Sequence, residues 1–493
     1  MREQKTNKTT VLIGLMIGTF LTAIEGTIVS TAMPKIVGDL QGIEVMDWVF
    51  SIFMLTSAIT VPLFGKLADL FGRKKVFTIG TLIFLSGSVL CGFAWSMAAL
   101  IVFRGIQGVG AGAVMTLSTT IIGDIFPVEK RAKMFGMMGM IWGIAGILGP
   151  LVGGFFVDIL SWHWIFFINL PFGILTVSLI SIGLMEKISH EQKTVDYAGI
   201  AVFSAAMGLF LFVLQRIGEY GWHNLLNIGL LISSFCLMAA FVLVESRVRE
   251  PVMPLTILQN PIVLMTNILA FLASIVLIGN DIYMPMWLQG LLGYSAMASG
   301  FVLTPMSLTW MIGSFLSGHL LTKFGLKIGE AVGALVLMIG TFLLMLLRMD
   351  SHPLSYYFIT AIVGIGFGIT LTLTTIAAQS ATDRAMRGAT TASNQFFRSV
   401  GQAVGAAVFG MYFNTQVGQS IREQGTAAVS ANQLNQLVHP EGHEQLASSV
   451  RNLLREVLFN SIHHVFILFF VLAAVAATVA LLLPKHTASV HNE

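Results

Sequence analysis

Charge is what this 493-residue chain has least of: 10% of its residues are Asp, Glu, Lys or Arg, while 55% are hydrophobic. A protein surrounded by water carries about 25% charged residues, so a soluble surface is excluded. The formal net charge of +3 leaves no basic excess for a nucleic-acid partner. Only two cysteines occur, Cys91 and Cys236, both inside apolar runs, where they read as small packing residues with no disulfide framework. His439, His443, His463 and His464 come without cysteines or a carboxylate framework, so neither a metal nor a cofactor is expected. No small-residue cleavage site follows the first apolar run, and no removable signal peptide is expected. Gly108-Val109-Gly110 is not a nucleotide loop, because an apolar span surrounds it and no strand precedes it.

What the chain does have is long hydrophobic runs. A spanning helix needs about 20 apolar residues. Candidates lie near 11–31, 47–64, 76–95, 97–123, 135–157, 164–185, 196–216, 225–245, 260–289, 296–320, 329–347, 355–379, 389–414 and 459–483, fourteen in all. The fold expected is an all-α polytopic membrane protein embedded in a lipid bilayer. Placing the N-terminus inside puts 19 Lys and Arg on the cytoplasmic side against 6 on the other. That bias sets both termini in the cytoplasm. One long polar loop, 415–458, then falls outside, and Val450–Val457 at its end has the pattern of an amphipathic helix.

Gly65-Lys66-Leu67-Ala68-Asp69-Leu70-Phe71-Gly72-Arg73-Lys74-Lys75 forms a short basic turn between the second and third spans. Shifted by 253 positions it reappears in weakened form as Gly318-His319-Leu320-Leu321-Thr322-Lys323-Phe324-Gly325-Leu326-Lys327. Apolar sequence rich in glycine produces such matches by chance, but this one falls at an equivalent cytoplasmic turn. It therefore reads as an internal repeat, the construction of many transporters. The expected division is residues 1–185 as an N-terminal six-helix bundle, 186–259 as two additional spans with linkers, and 260–493 as a C-terminal six-helix bundle.

Charge inside the hydrocarbon is costly and points to function. Glu25, Arg104, Asp281 and Arg398 are the candidates. Adding 253 to Glu25 gives 278, one turn from Asp281, so two acids are expected at matched depth facing one central cavity. A carboxylate in apolar surroundings binds a proton more readily than one in water, which suits proton coupling. For Asp281 the alternatives are a nearby arginine partner or a water-facing place on a bent helix. Asn280, Asp281, Tyr283, Met284 and Trp287 on one span, with Asn394, Gln395, Phe397 and Arg398 on another, form a candidate substrate pocket together with Glu25. Aromatic and methionine side chains suit flat, lipophilic, variable ligands, and ring faces favour a cation.

The basic turn resembles the loop between the second and third helices of major facilitator superfamily transporters. Three further segments are similar to motifs of the superfamily, the first and third of them to its fourteen-helix drug:proton antiporter branch. Ala23-Ile24-Glu25-Gly26-Thr27-Ile28-Val29-Ser30-Thr31-Ala32-Met33-Pro34 matches the first-helix signature, with Glu25 where an aspartate is usual. Gly143-Ile144-Ala145-Gly146-Ile147-Leu148-Gly149-Pro150-Leu151-Val152-Gly153-Gly154 matches the motif that marks antiporters, and Trp162-His163-Trp164 through Gly173 is close to another signature. Arg104 resembles the fourth-helix arginine that the superfamily uses in proton movement.

The resemblance implies a proton-coupled exporter of lipophilic, often cationic drugs in a bacterial plasma membrane, not an enzyme, acting as a monomer by alternating access. Its alternatives are one dedicated substrate (an antibiotic, siderophore, peptide or lipid) or a polytopic enzyme or sensor. Glu25, Asp281 and Arg104 are then the proton-coupling residues. Asp69, Gly72 and Arg73, with Gly146, Gly149, Pro150, Gly153 and Gly154, are the expected gating elements, with Arg73 placed to pair with Asp124 or Glu129.

Overall fold

Helix α1 (Lys8–Leu40) is longer than its apolar run, because polar residues at both ends carry it past the hydrocarbon. Asn7 starts it by accepting a hydrogen bond from the Thr10 backbone N–H, and Gln41 (φ 59) and Gly42 (φ 102) reverse the chain beyond it. The computed structural model describes residues 6–126, 128–186, 197–221, 224–248, 255–381, 387–423 and 448–484; some side chains within these stretches, including those of Lys66, Asp69 and Glu129, lie outside the description. The elements that follow are α2 (Met46–Phe71), α3 (Arg73–Gly92), α4 (Met97–Ile125), α5 (Val128–Phe155), α6 (Trp164–Phe167) and α7 (Asn169–Gly183). Then come α8 (Tyr197–Tyr220), α9 (Leu225–Glu245), α10 (Pro261–Pro285), α11 (Ala296–Met345), α12 (Pro353–Ser380), α13 (Arg387–Glu423) and α14 (Ser448–Leu482). Helices α5 and α10 continue as short π-helical turns through Leu160 and Leu291.

Among the described residues, eleven helices are long and apolar enough to cross a membrane. The 50-residue α11 is two of the expected spans in one, bent at Gly325 (φ 79, ψ 171). Helices α8 and α13 complete the fourteen expected; α8 holds a shorter apolar stretch, and α13 is the least apolar of the set. The loop expected at 415–458 is helical at both margins: α13 runs on to Glu423 and α14 begins at Ser448. The Val450–Val457 segment is the first part of the last span, while His439 and His443 lie outside the described residues.

The basic turn is tighter than its eleven residues suggest. Helix α2 persists to Phe71 and α3 starts at Arg73, so the reversal is made by Gly72 alone (φ 90, ψ 143). Its counterpart 253 residues on is Gly325, with a matching backbone. Only glycine takes this conformation without strain. The repeat also holds at the helix starts, where Asn7 caps α1 and Asn260, 253 residues later, caps α10.

It holds in the packing as well. On α4, a Cβ at Gly108 or Gly112 would strike Phe53, Thr56, Ser57 and Thr60 of α2, and one at Gly110 would strike Phe84 of α3. On α12, a Cβ at Gly364 or Gly368 would strike Met306, Thr309 and Gly313, and one at Gly366 would strike Leu337. Adding 253 to Phe53, Thr56, Thr60 and Phe84 gives these same four partners. Each half thus pins three spans together through one glycine-striped helix, letting backbones approach within side-chain distance.

The hydrogen bonds that join the halves cluster from mid-height to the end away from Gly72. Tyr283 donates to Asp47 Oδ1 (3.1 Å), Gln289 to the Thr31 carbonyl (2.9 Å), Asn414 to the Glu44 carbonyl (2.7 Å) and Ser307 to the Gly146 carbonyl (2.6 Å). Asp158 receives the Ala296 and Met297 N–H groups (3.1 and 2.8 Å), capping α11 from the other half. Helices α8 and α9 sit beside the seam: Phe203, Met207 and Leu211 of α8 pack with Leu55 and Ala58 of α2 and with Val400 and Ala403 of α13.

The glycine stripes give a direct test. Gly110→Ala and Gly366→Ala should each destabilise by about 1–3 kcal/mol through overpacking. Gly208→Ala on α8, where a Cβ meets nothing within 4 Å, should be neutral or stabilising. Thermal unfolding in detergent reads all three, and equal shifts at the three positions would contradict the packing.

Candidate functional site

Glu25 and Arg104 meet inside the first half. Both are 0% exposed, and Arg104 Nη1 lies 2.7 Å from Glu25 Oε1. The other carboxylate oxygen accepts Asn169 Nδ2 at 2.9 Å. Arg104 is held by three further groups. Nη1 donates to Gln107 Oε1 (2.9 Å), Nε to the Val49 carbonyl (3.2 Å), and the guanidinium lies 4.0 Å from the Phe53 ring centroid. Asn169 also donates to Ser88 Oγ, which donates in turn to the Phe166 carbonyl. Spans α1, α2, α3, α4 and α7 all contribute, and the glycine stripe of α4 lets them converge.

This corrects one expectation. Glu25 does not face a space shared with Asp281; it is turned into its own bundle and sealed there. The neighbouring Gly26, about 100° round the helix, faces open space, where a Cβ would meet nothing within 4 Å. One residue of helical phase separates the two readings.

Asp281 is the opposite case. In the run Leu272–Leu291 it is the one partly exposed residue among buried ones. It makes no hydrogen bond or ion pair among the described residues, and neither does Arg398, which is also partly exposed. They are not partners of each other. Helices α10 and α13 run in parallel register, with Asn267 bonded to Ser393 and Asn394, and with Tyr283 against Phe409 and Phe413. Asp281, two residues before Tyr283, therefore lies level with about residues 407–411, and Arg398 sits roughly 14 Å or more away along the axis at about 1.5 Å per residue.

The expected substrate pocket divides likewise. Tyr283, Met284 and Trp287 are 0% exposed, and Asn280 and Asn394 are 1% exposed. Trp287 packs on Phe459 and Phe466, Asn280 donates to the Met306 sulfur, and Asn394 bonds Asn267 and Thr375. In this conformation these five form packing and hydrogen-bonded structure; accessible surface remains at Asp281, Gln395, Phe397 and Arg398.

The gating candidates lie where two surfaces meet. A Cβ on Gly149 would overlap Thr27 of α1, and one on Gly153 would press on Ile28. Gly154 lies against the Met297 backbone, Gly146 against Ser307, and the Pro150 carbonyl against Gly300, all on α11. The glycine face of α5 is thus wedged between its own α1 and α11 of the other half. At the basic turn Arg73 Nε is 2.7 Å from Asp124 Oδ2, one of the two acids expected as its partner. The Arg73 and Lys74 N–H groups donate to Glu186, which the sequence reading missed. Asp69 and Glu129 lie outside the described side chains.

Four other polar residues went unnoticed in the sequence. Gln107 is one turn beyond Arg104, and Asn169 sits in a stretch read as structural. Asp47 is 1% exposed and Glu330 0%, and both Glu330 oxygens lack a partner among the described residues. Both acids fall at the margins of apolar runs, where charge looks solvated.

The sequence profile of the Major Facilitator Superfamily matches residues 15–406. The chain belongs to that superfamily. It is 36% identical to the multidrug transporter protein MdtP of Bacillus subtilis (strain 168), over 98% of this chain and 94% of that one. It is 33% identical to multidrug resistance protein 3 of the same organism, over 96% and 95%. Among solved structures, the bacterial homolog of the human lysosomal transporter Spinster, inward-facing and unoccupied, aligns with a TM-score of 0.71. That alignment covers 97% of both chains at 18% identity, which shows a shared fold. The chain is thus a multi-pass transporter of the plasma membrane, not an enzyme, built like its bacterial multidrug relatives.

Removing one member of the sealed pair leaves the other charge buried and alone. Glu25→Leu and Arg104→Leu should each cost about 3–5 kcal/mol, and the double substitution should recover most of that loss. Thermal unfolding of the three variants in detergent checks this; a double variant as unstable as the sum of the singles would contradict it.

Proposed function

We propose that this transporter is a proton-coupled exporter of lipophilic, often cationic compounds. The sealed Glu25–Arg104 pair carries the reading. In the pair, the charge of Glu25 is balanced and needs no proton. Protonating Glu25 leaves Arg104 buried without its counter-charge, a costly arrangement, so proton binding forces the cluster to rearrange. Arg104 Nη2, Gln107 Nε2 and Asn169 Oδ1 are without partners among the described residues and give the cluster capacity for a second set of hydrogen bonds. Helix α1 carries Glu25 on one face and rests on the glycine face of α5 through Thr27 and Ile28. A change at the pair therefore acts directly on the contact between halves.

Orientation follows from the lysine and arginine bias, with the Gly72 end in the cytoplasm. The halves are joined at the opposite end, which corresponds to an inward-facing state with Glu25 deprotonated. Substrate then enters from the cytoplasm or inner leaflet. Asp281 supplies an accessible negative charge for a cation, with Gln395 and Phe397 as further candidate contacts. After the halves rock, a proton from outside binds Glu25 and substrate leaves. Each proton supplies about 2.3 kcal/mol per 100 mV and about 1.4 kcal/mol per pH unit. The MdtP and multidrug resistance protein 3 relatives support a broad substrate range.

Everted vesicles carrying a pH dye test the proposal. Wild type should dissipate the proton gradient when several structurally unrelated lipophilic cations are added. Glu25→Gln should abolish this response, and Asp281→Asn should weaken it for cations more than for neutral compounds. No response across a broad panel would overturn the multidrug reading, and a response to one compound alone would indicate a dedicated substrate. Normal exchange by Glu25→Gln would remove Glu25 from the coupling role.

A further inference from the structure

Asp47 stands at the junction of three helices and two halves. It opens α2, is 1% exposed, and accepts the Tyr283 hydroxyl of α10 at 3.1 Å on Oδ1. Its other oxygen, Oδ2, is buried with no hydrogen-bond partner among the described residues. The α13 backbone closes over it at Gly410, where a Cβ would come within 2.6 Å of Oδ2. Among the described residues, the groups around it supply no cation. Tyr283 and Asp281 lie on the facing stretch of α10, and Tyr412 and Asn414 on that of α13. Glu44, in the preceding turn, is exposed.

We propose that Asp47 is a proton-binding site of the gate opposite the basic turn, loaded as α2 closes on α10 and α13 and emptied when they part. A buried carboxylate with one hydroxyl donor and no counter-charge is far costlier than a neutral carboxyl in the same place. When the halves separate at this end, Tyr283 and Gly410 withdraw and water solvates the group, which then ionises. Closure takes one proton from water to form one O–H bond, and opening returns it to water. The closed state holds one proton more than the open state, so the closed-to-open ratio falls as pH rises, by at most about tenfold per pH unit for a single proton. Asp158 caps α11 across the same gate. The Asp47 site goes beyond the coupling assigned to Glu25 and holds whatever drives export.

The test is a distance measurement. Full-length protein with Cys236→Ser carries spin labels at Trp95→Cys and Leu354→Cys, exposed positions (75% and 68%) at this end of opposite halves. Pulsed electron–electron resonance in nanodiscs from pH 5.5 to 8.5, without substrate, should show the closed fraction falling with rising pH. Asp47→Asn, which is neutral at every pH, should stay more closed than wild type at pH 8.5 and lose most of the pH response, while Asp47→Glu keeps it. Tyr283→Phe removes the hydroxyl donor to Asp47 and should lower the closed fraction at low pH. A pH response in Asp47→Asn equal to wild type, a flat wild type, or a closed fraction unmoved by Tyr283→Phe would each overturn the proposal.

Discussion

A guanidinium and a carboxylate placed together where no water reaches are stable only as a pair, and only if their remaining valences are filled. The Glu25–Arg104 pair meets that condition through Asn169, Gln107, the Val49 carbonyl and the Phe53 ring. Those partners come from several spans, so the pair sets how closely the first bundle packs. The glycines of α4 exist in the same service. Without close backbone contact on α2 and α3, Arg104 would not be sealed, and its charge would be screened by water. Local sequence, packing and chemistry are therefore one constraint seen at three scales.

The second half repeats the scaffold but not the charge. Its helix start at Asn260 and its left-handed Gly325 recur 253 residues on, and its glycine stripe recurs 256 residues on. Ile278 stands 253 residues beyond Glu25, and Thr360 takes the place of Arg104 when Gly108 is matched to Gly364. The first bundle thus carries a buried ion pair in an apolar frame, and the second is comparatively neutral. Asp281 and Glu330 are additions outside the repeat. Between the bundles, the α5–α11 face and the α2–α8–α13 cluster close the two sides of the seam, and the far-end hydrogen bonds lock one end.

Much of this was legible in the sequence because lipid imposes simple rules. Span number follows from run length, the repeat from Gly72 and Gly325, and the candidacy of Arg104 from its placement in hydrocarbon. The Arg73–Asp124 pair and the position of the glycine face on α5 were also foreseen in kind. Facing was not legible. A span without a polar stripe gives no phase, so Glu25 and Gly26 were indistinguishable as cavity residues. Tyr283, Met284 and Trp287 looked like ligand contacts because aromatic and methionine side chains serve packing and binding equally well. Asp47 and Glu330 were missed because a charge at the edge of an apolar run reads as solvated, and only tertiary packing buries it.

The central claim is that substrate and proton compete through Glu25. It is tested most directly with purified protein in weakly buffered detergent at mildly acidic pH, with ethidium as the substrate probe. Fluorescence polarisation follows ethidium binding, and a pH dye follows protons in the same cuvette. Ethidium binding should release protons from wild type, while Glu25→Gln should bind ethidium and release none. Proton release from Glu25→Gln equal to that from wild type would contradict the account.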